Sequence, residues 1–398
     1  MDITFDCESL KQEVKKALEK NDQGGAVAMI QKYLDKVNNT PQNIAITGET
    51  GSGKSTFVNA FRGISNNDNG SAPTGCVETT LEATPYHHPN YPNVILWDLP
   101  GIGSTNFPAD KYLQSAGFKD FDFFIIISDT RFRENDVMLA LEIQKLGKKF
   151  YFVCSKIDND LQAEERSQSE FSAENTLARI RQNCVRSLEQ QRIESPQVFV
   201  LSSFELQKHD FPLLHKTLER ELPEHKRYAL LMAMPSINRE IIKKKKEAFQ
   251  AQIKYYATLS AAVAGVPLPG LSFAVDIGLL VTVVTQYVVG FGLDIPSLQR
   301  LANSTGVSFK DLIAVKKSPL AATAVTAGLM LSLLGQCVGI TAMVVAQEWC
   351  RWIPILRILL ARKCCFITTC RGLTYFLDML ADDAHRVFKQ ALCLNTSV

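Results

Sequence analysis

The spacing of apolar positions changes along the chain, and each change marks a different part. Between positions 8 and 37, Leu10, Val14 and Leu18, then Ala26, Met29, Ile30 and Leu34, recur at helical spacing. The polar, glycine-containing stretch Asn21–Gly25 breaks that pattern, so it predicts two helices. Residues 42–222 read differently. Five short runs, Asn43–Thr47, Val94–Trp97, Phe123–Ser128, Phe150–Cys154 and Val198–Leu201, are rich in Ile, Val and Phe and flanked by turn or charged residues. Runs apolar on both faces suit buried strands of a parallel sheet. Helical stretches such as Thr56–Arg62 and Ser172–Gln191 fill the gaps. Strand and helix in alternation predict an α/β domain.

After Pro223 the strand signals fade. Residues 224–254 predict a charged helix carrying the run Lys243–Lys246, a solvated face or else a patch for membrane or partner. Two apolar zones follow, Tyr255–Leu293 and Ser318–Gln347, and a final helix is expected around Leu373–Leu392. The pattern divides the chain into N-terminal helices over 1–40, an α/β domain over 41–223 and a helical domain over 224–398.

From Ser318 to Gln347 there is no Asp, Glu, Lys, Arg or His. The stretch exceeds the ~20 residues that span a bilayer. Its Ala, Gly, Ser and Thr content also suits close helix packing in either solvent. Pro267, Pro269 and Gly270 break the other zone, which predicts an apolar helical hairpin. Two accounts compete: a buried hairpin that engages membrane on assembly, and permanent insertion.

Composition narrows the field. Lys+Arg is 43 and Asp+Glu is 41, a net charge of +2 over 398 residues. That balance argues against a nucleic-acid partner. Hydrophobic residues at 46% and aromatics at 9% exclude a disordered chain. Mean hydropathy is −0.01, and the apolar excess sits mainly after Tyr255. Charges from Asp2 onward predict no secretory leader, and Asp2 in place of glycine argues against N-myristoylation. The ten cysteines are expected as reduced thiols. Cys364, Cys365 and Cys370, beside Arg362, Lys363 and Arg371, read as core-facing residues next to a basic turn, or as palmitoylation sites.

The chemistry lies in the α/β part. Gly48-Glu49-Thr50-Gly51-Ser52-Gly53-Lys54-Ser55 fits G-x-x-x-x-G-K-[ST] between the run Asn43–Thr47 and the helical Thr56–Arg62. The glycines let backbone amides turn toward phosphate oxygens, and the helix N-terminus adds its dipole. Lys54 is expected on the β- and γ-phosphates and Ser55 on Mg²⁺. Asp98-Leu99-Pro100-Gly101 follows the run Val94–Trp97. Asp98 can reach Mg²⁺, and the Gly101 amide can bond the γ-phosphate. Ser155-Lys156-Ile157-Asp158 follows Phe150–Cys154. A carboxylate at Asp158 accepts the two N–H donors on guanine's edge, a pair that adenine lacks, and the Lys156 stem can stack on the ring. Ser202 and Ser203 stand where a base-contacting loop belongs. GTP and GDP are therefore the expected ligands.

A threonine between the first two motifs would complete the Mg²⁺ shell, and Thr74, Thr79 and Thr80 all compete. Small regulatory GTPases orient the attacking water with a Gln just after the D-x-x-G glycine; here that residue is Ile102. Water must be oriented by another group, Glu78 or a second protomer.

Gly48–Ser55, Ala72–Glu78, Trp97–Phe107, Tyr112, Asp122–Ser128, Thr130–Phe132, Phe150–Val153, Asp210–Pro212 and Leu222-Pro223 together resemble the immunity-related (interferon-inducible) GTPases. Pro235 and Tyr375–Met379 are similar to that family's helical domain. The resemblance implies a Ras-like P-loop G domain with a helical domain formed by N- and C-terminal segments. It implies a dynamin-like, self-assembling GTPase of cell-autonomous immunity that loads onto vacuoles around intracellular pathogens. Lys54 places the chain with the lysine-bearing class. Glu78 would assist hydrolysis, and Thr74 or Thr80 would be open to pathogen kinases. The apolar stretch 319–347 departs from the charged helices of well-known members. The expected setting is cytoplasmic with peripheral or integral association with intracellular membranes. An alternative is a nucleotide-regulated scaffold whose hydrolysis is incidental.

Overall fold

A computed structural model of the chain describes residues 12–13, 16–17, 20, 22, 25, 28–33, 40–75, 80–103, 118–129, 132–167, 170–206, 208–221, 224–236, 238–263, 271–321, 325–336 and 354–393. It divides into two compact units, Thr40–Ile237 and Met1–Asn39 with Asn238–Val398.

The first unit is an α/β sandwich. Its strands are β1 (Gln42–Thr47), β2 (Thr84–His87), β3 (Val94–Asp98), β4 (Phe123–Ser128), β5 (Lys149–Cys154) and β6 (Val198–Val200). They lie in the order β2-β3-β1-β4-β5-β6. All pairings are parallel except β2 with β3. Every residue of β4 is buried, because helices cover both faces of a central parallel strand. The five expected runs are the five parallel strands. β2 is an addition: Thr84-Pro85-Tyr86-His87 has no apolar alternation and holds only through β3, and Pro85 is tolerated because the strand is an edge.

The helices of this unit are α1 (Lys54–Phe61), α2 (Glu134–Lys145), α3 (Ile157–Ser167), α4 (Ala173–Gln190), α5 (Phe211–Glu221) and α6 (Glu224–Ala233). Asp210 ties α4 to β6: its carboxylate accepts the Val200 N–H at 2.8 Å and pairs with Arg181. α6 belongs with the sheet because Leu230, Leu231, Met232 and Met234 are buried there. The boundary thus falls after Ile237 where the sequence suggested Pro223.

The second unit is helical: α7 (Arg239–Val263), α8 (Leu271–Gly290), α9 (Ile295–Thr305), α10 (Phe309–Ala314), α11 (Ala327–Gln336) and α12 (Pro354–Cys393). α7 packs along α12, and a buried hydrogen bond joins Ser260 and Thr369 at 2.9 Å. Residues 28–33 are helical, Ile30 is fully buried, and the Tyr33 and Tyr255 rings sit 5.5 Å apart. The N-terminal segment therefore joins this unit. α12 is far longer than the expected Leu373–Leu392. It absorbs the cysteine cluster, so the basic turn expected there is helix, with Cys365 in the core and Cys364 and Cys370 half-buried.

The lysine run resolves individually. Lys243 pairs with Glu247, Lys244 with Glu240 and Lys246 with Asp378, while Lys245 is buried and donates to the Gly290 carbonyl at 2.6 Å. Three ion-paired lysines and one buried amine do not make a basic patch. α8 buries Leu280, Val283, Val284, Tyr287 and Val288 and exposes Gly278, Thr282 and Thr285. Among the described residues, Ile277–Asn303 alone is long and apolar enough to cross a membrane, and 50% of its apolar window is buried within the protein. The break of the expected hairpin, 264–270, lies outside the described residues, as do 322–324 and 337–347 of the second apolar zone.

Candidate functional site

The loop after β1 turns tightly against the end of β4. Gly48 has φ of 143°, and a Cβ there would lie 2.0 Å from the Ile127 carbonyl, so only glycine fits. Gly53, in the left-handed region, precedes the first turn of α1 and opens its amides. Lys54 is 6% exposed, and its ammonium donates to the Glu49 carbonyl at 2.8 Å and the Gly48 carbonyl at 3.2 Å. A glycine-rich loop at a helix start with a lysine ammonium held against it is chemistry suited to anionic oxygens. Ser52 Oγ is buried without a hydrogen-bond partner.

Ser55, Thr80 and Asp98 come from three separate segments and meet. Ser55 Oγ donates to Asp98 Oδ2 at 2.6 Å, and Thr80 Oγ1 donates to the same oxygen at 3.0 Å. The two hydroxyls are 3.5 Å apart. Asp98 Oδ1 is buried without a hydrogen-bond partner. Burial holds the Asp98 carboxyl above the ordinary carboxylate range, while Ser55, Lys54 and Thr80 draw it back. Three hard oxygen donors and one orphaned carboxylate oxygen fit a small divalent cation. Of the three candidate threonines, Thr80 joins this cluster, Thr74 is exposed, and Thr79 lies outside the described residues. Glu78 lies outside them too.

The loop after β3 presses on the loop after β1. A Cβ on Gly101 would lie 2.1 Å from Thr50 Oγ1 and 2.6 Å from Thr50 Cα. Ile102 N–H donates to the Gly48 carbonyl at 3.1 Å, and Ile102 pairs with Glu49 in a parallel bridge. The Ile102 side chain is 1% exposed and lies in the core with Leu99, Leu139, Ala140 and Ile143.

The guanine motif begins α3, with Asp158 in the first turn. Ser155 Oγ donates to the Ser52 carbonyl at 2.5 Å, and its N–H donates to the Ser128 carbonyl at 2.8 Å. Lys156 is left-handed, with φ of 57°, and its ammonium donates to the Gly51 carbonyl at 2.5 Å. Asp158 Oδ1 is buried and without a hydrogen-bond partner, as an acceptor awaiting donors would be. Asp160 is pushed up to about 6 by burial and by Asp129, Asp158 and Glu164. Ser202 is fully buried beyond β6, where its Oγ accepts the Phe204 N–H at 3.2 Å; Ser203 is half-buried. Thr56, next along α1, is half-buried.

One network was not legible in the sequence. Glu49 is gripped by Arg133, and Asn135 Nδ2 donates to its Oε1 at 2.8 Å. Asp136, three positions past Arg133, accepts the Ser128 hydroxyl at 2.8 Å and the Arg133 N–H at 3.0 Å, and burial pushes it up to about 6. Together they fix the start of α2 against the first loop. The acidic first turn of α2 was the available signal.

Residues 7–391 match the interferon-inducible GTPase family. The chain is 39% identical over 380 residues to interferon-inducible GTPase 5 of Rattus norvegicus, covering 95% of this chain and 82% of that protein. It is 40% identical over 307 residues to interferon-gamma-inducible GTPase 10 of Mus musculus, covering 77% and 73%. It is 38% identical over 370 residues to interferon-inducible GTPase 1 of Mus musculus, covering 92% and 86%.

Proposed function

The chain belongs to the interferon-inducible GTPase family and hydrolyses GTP, and we propose that it does so with the five segments described above. Lys54 and the amides of Gly48–Ser55 hold the phosphates. Ser55, Asp98 and Thr80 hold Mg²⁺, which when bound supplies positive charge to the phosphate oxygens. The Gly101 amide follows the γ-phosphate, and its close approach to Thr50 links that event to the first loop. Asp158 accepts the guanine N–H pair, Lys156 covers the ring, and Ser202 and Ser203 close the base loop. The observation that carries this reading is the meeting of Ser55, Thr80 and Asp98 around an orphaned carboxylate oxygen.

The burial of Ile102 removes that side chain from the hydrolytic step. The water must then be oriented by Glu78 or by a group from a second copy of the chain. Hydrolysis slow in the monomer and accelerated by self-association follows. We further propose that the assembled protein acts at intracellular membranes in cell-autonomous immunity, contacting them through apolar helices of the helical unit. The inward-facing side chains of α8 support a helix that is soluble at rest.

Titration with a fluorescent GTP analogue in Mg²⁺ and in EDTA tests the site: Asp98→Ala should abolish the difference. An equal difference in the variant would refute the cation assignment. Carbonate extraction tests the membrane reading. Release into the supernatant supports peripheral contact, and retention in the pellet refutes it.

A further inference from the structure

We propose that Cys154 and Cys184 form a dithiol that peroxide converts to a disulfide, and that this bond weakens guanine-nucleotide binding. The second half rests on the assignment of Ser155–Asp158 as the base site.

Cys154 is the last residue of β5 and Cys184 lies on α4. Their sulfurs are 3.3 Å apart, in a contact where either can donate. Both are buried beneath a single helix: α4 buries Thr176, Cys184 and Leu188, packs Leu177, Ile180 and Val185 against the core, and exposes Glu174, Asn175, Ala178, Arg179 and Gln182. A small neutral oxidant needs only a local opening of α4 to reach them. The two thiols differ. Cys154 is pushed well up by its hydrogen bond to Cys184 and by burial, whereas that same hydrogen bond draws Cys184 down. Cys184 is therefore the better nucleophile.

The chemistry balances with hydrogen peroxide as the named oxidant. The Cys184 sulfur attacks one peroxide oxygen; the O–O bond breaks, and the products are a sulfenic acid and one water. The Cys154 sulfur then attacks Cys184 Sγ, the S–O bond breaks, and the hydroxyl leaves with the Cys154 proton as a second water. Two thiols lose two hydrogens, and one peroxide is reduced to two waters.

The position of Cys154 gives the bond its consequence. Its carbonyl accepts the Leu201 N–H at 2.9 Å, next to Ser202. The following residue, Ser155, is hydrogen-bonded to the Ser52 and Ser128 carbonyls. Closing the two sulfurs to bonding distance moves them by about 1 Å. Three loops of the nucleotide site are anchored within one residue of that movement.

The test uses the full-length reduced protein, with hydrogen peroxide as the probe. After alkylation and non-reducing digestion, a peptide joining Cys154 to Cys184 is expected, lighter by two hydrogens than the sum of its reduced parts. Fluorescent GDP should bind the oxidised protein ~5-fold more weakly, the scale of one disturbed hydrogen bond, and dithiothreitol should restore it. Cys184→Ser should bind GDP normally and ignore peroxide. Absence of the linked peptide, with the sulfurs behaving as an inert core contact, overturns the proposal. So does a linked protein with unchanged affinity. GDP binding by the reduced protein is measured before peroxide is added, so a failure of the base-site assignment shows itself separately.

Discussion

Replacing Ile102 by Gln would restore the side chain that small regulatory GTPases place after the D-x-x-G glycine, and the structure says it will not help. Ile102 is 1% exposed, packed with Leu99, Leu139, Ala140 and Ile143, and its N–H is committed to the Gly48 carbonyl at 3.1 Å. A Gln in that position points into the core. The loss of a buried Ile side chain costs about 1.5–3 kcal/mol. An amide buried without partners adds about 1–3 kcal/mol. The sum, roughly 2.5–6 kcal/mol, is a large part of a typical unfolding free energy of about 5–15 kcal/mol. Urea unfolding should show the midpoint lowered by roughly 1–2 M. GTP turnover at fixed protein concentration should not rise. An Ile102→Gln protein as stable as the parent, with severalfold faster turnover, would show that residue 102 reaches the water and would refute the argument.

Other expectations follow from the same geometry. Asp158→Asn should lose at least ~10-fold of the preference for guanine over adenine nucleotides, read by competition, because an amide cannot accept both N–H donors. Thr80→Ala should lower Mg²⁺-dependent turnover by ~10-fold or more, the value of one cation ligand, and Thr74→Ala should leave it unchanged; equal effects would remove Thr80 from the cation cluster. Gly101→Ala places a methyl against Thr50 and should reduce hydrolysis more than GDP binding, measured on one preparation. Lys245 is lowered from 10.5 to about 7 by burial. The unfolded chain therefore binds the extra proton between those values, so stability should rise with pH from about 7 to 10, by up to about 5 kcal/mol. Lys245→Met should flatten that rise and unfold at higher urea near pH 7; an unchanged slope would mean that Lys245 is not responsible.

The parts legible in the sequence were those where local pattern and final environment agree. The central strands are apolar on both sides because they are covered on both sides. The first loop is legible because Gly48 and Lys54 are required by backbone approach and charge, at fixed spacing. β2 was hidden because an edge strand that hangs on β3 by backbone pairing needs no apolar face. α12 was underestimated because its buried face is built partly from Cys365 and Thr369, which carry little hydrophobic signal. The choice of Thr80 over Thr74 depends on which hydroxyl arrives beside Asp98, a distance that spacing does not encode. Arg133 and Asn135 reach Glu49 across more than eighty positions, and no short-range pattern announces such a pairing.

The account turns on a hydrolytic site that the folded monomer leaves without a water-orienting side chain at Ile102. GTP turnover per protein, measured across a wide dilution series with and without liposomes, tests this directly. The account predicts turnover that climbs with protein concentration, and climbs at lower concentration on membranes. Turnover per protein that stays constant over the whole series would contradict it.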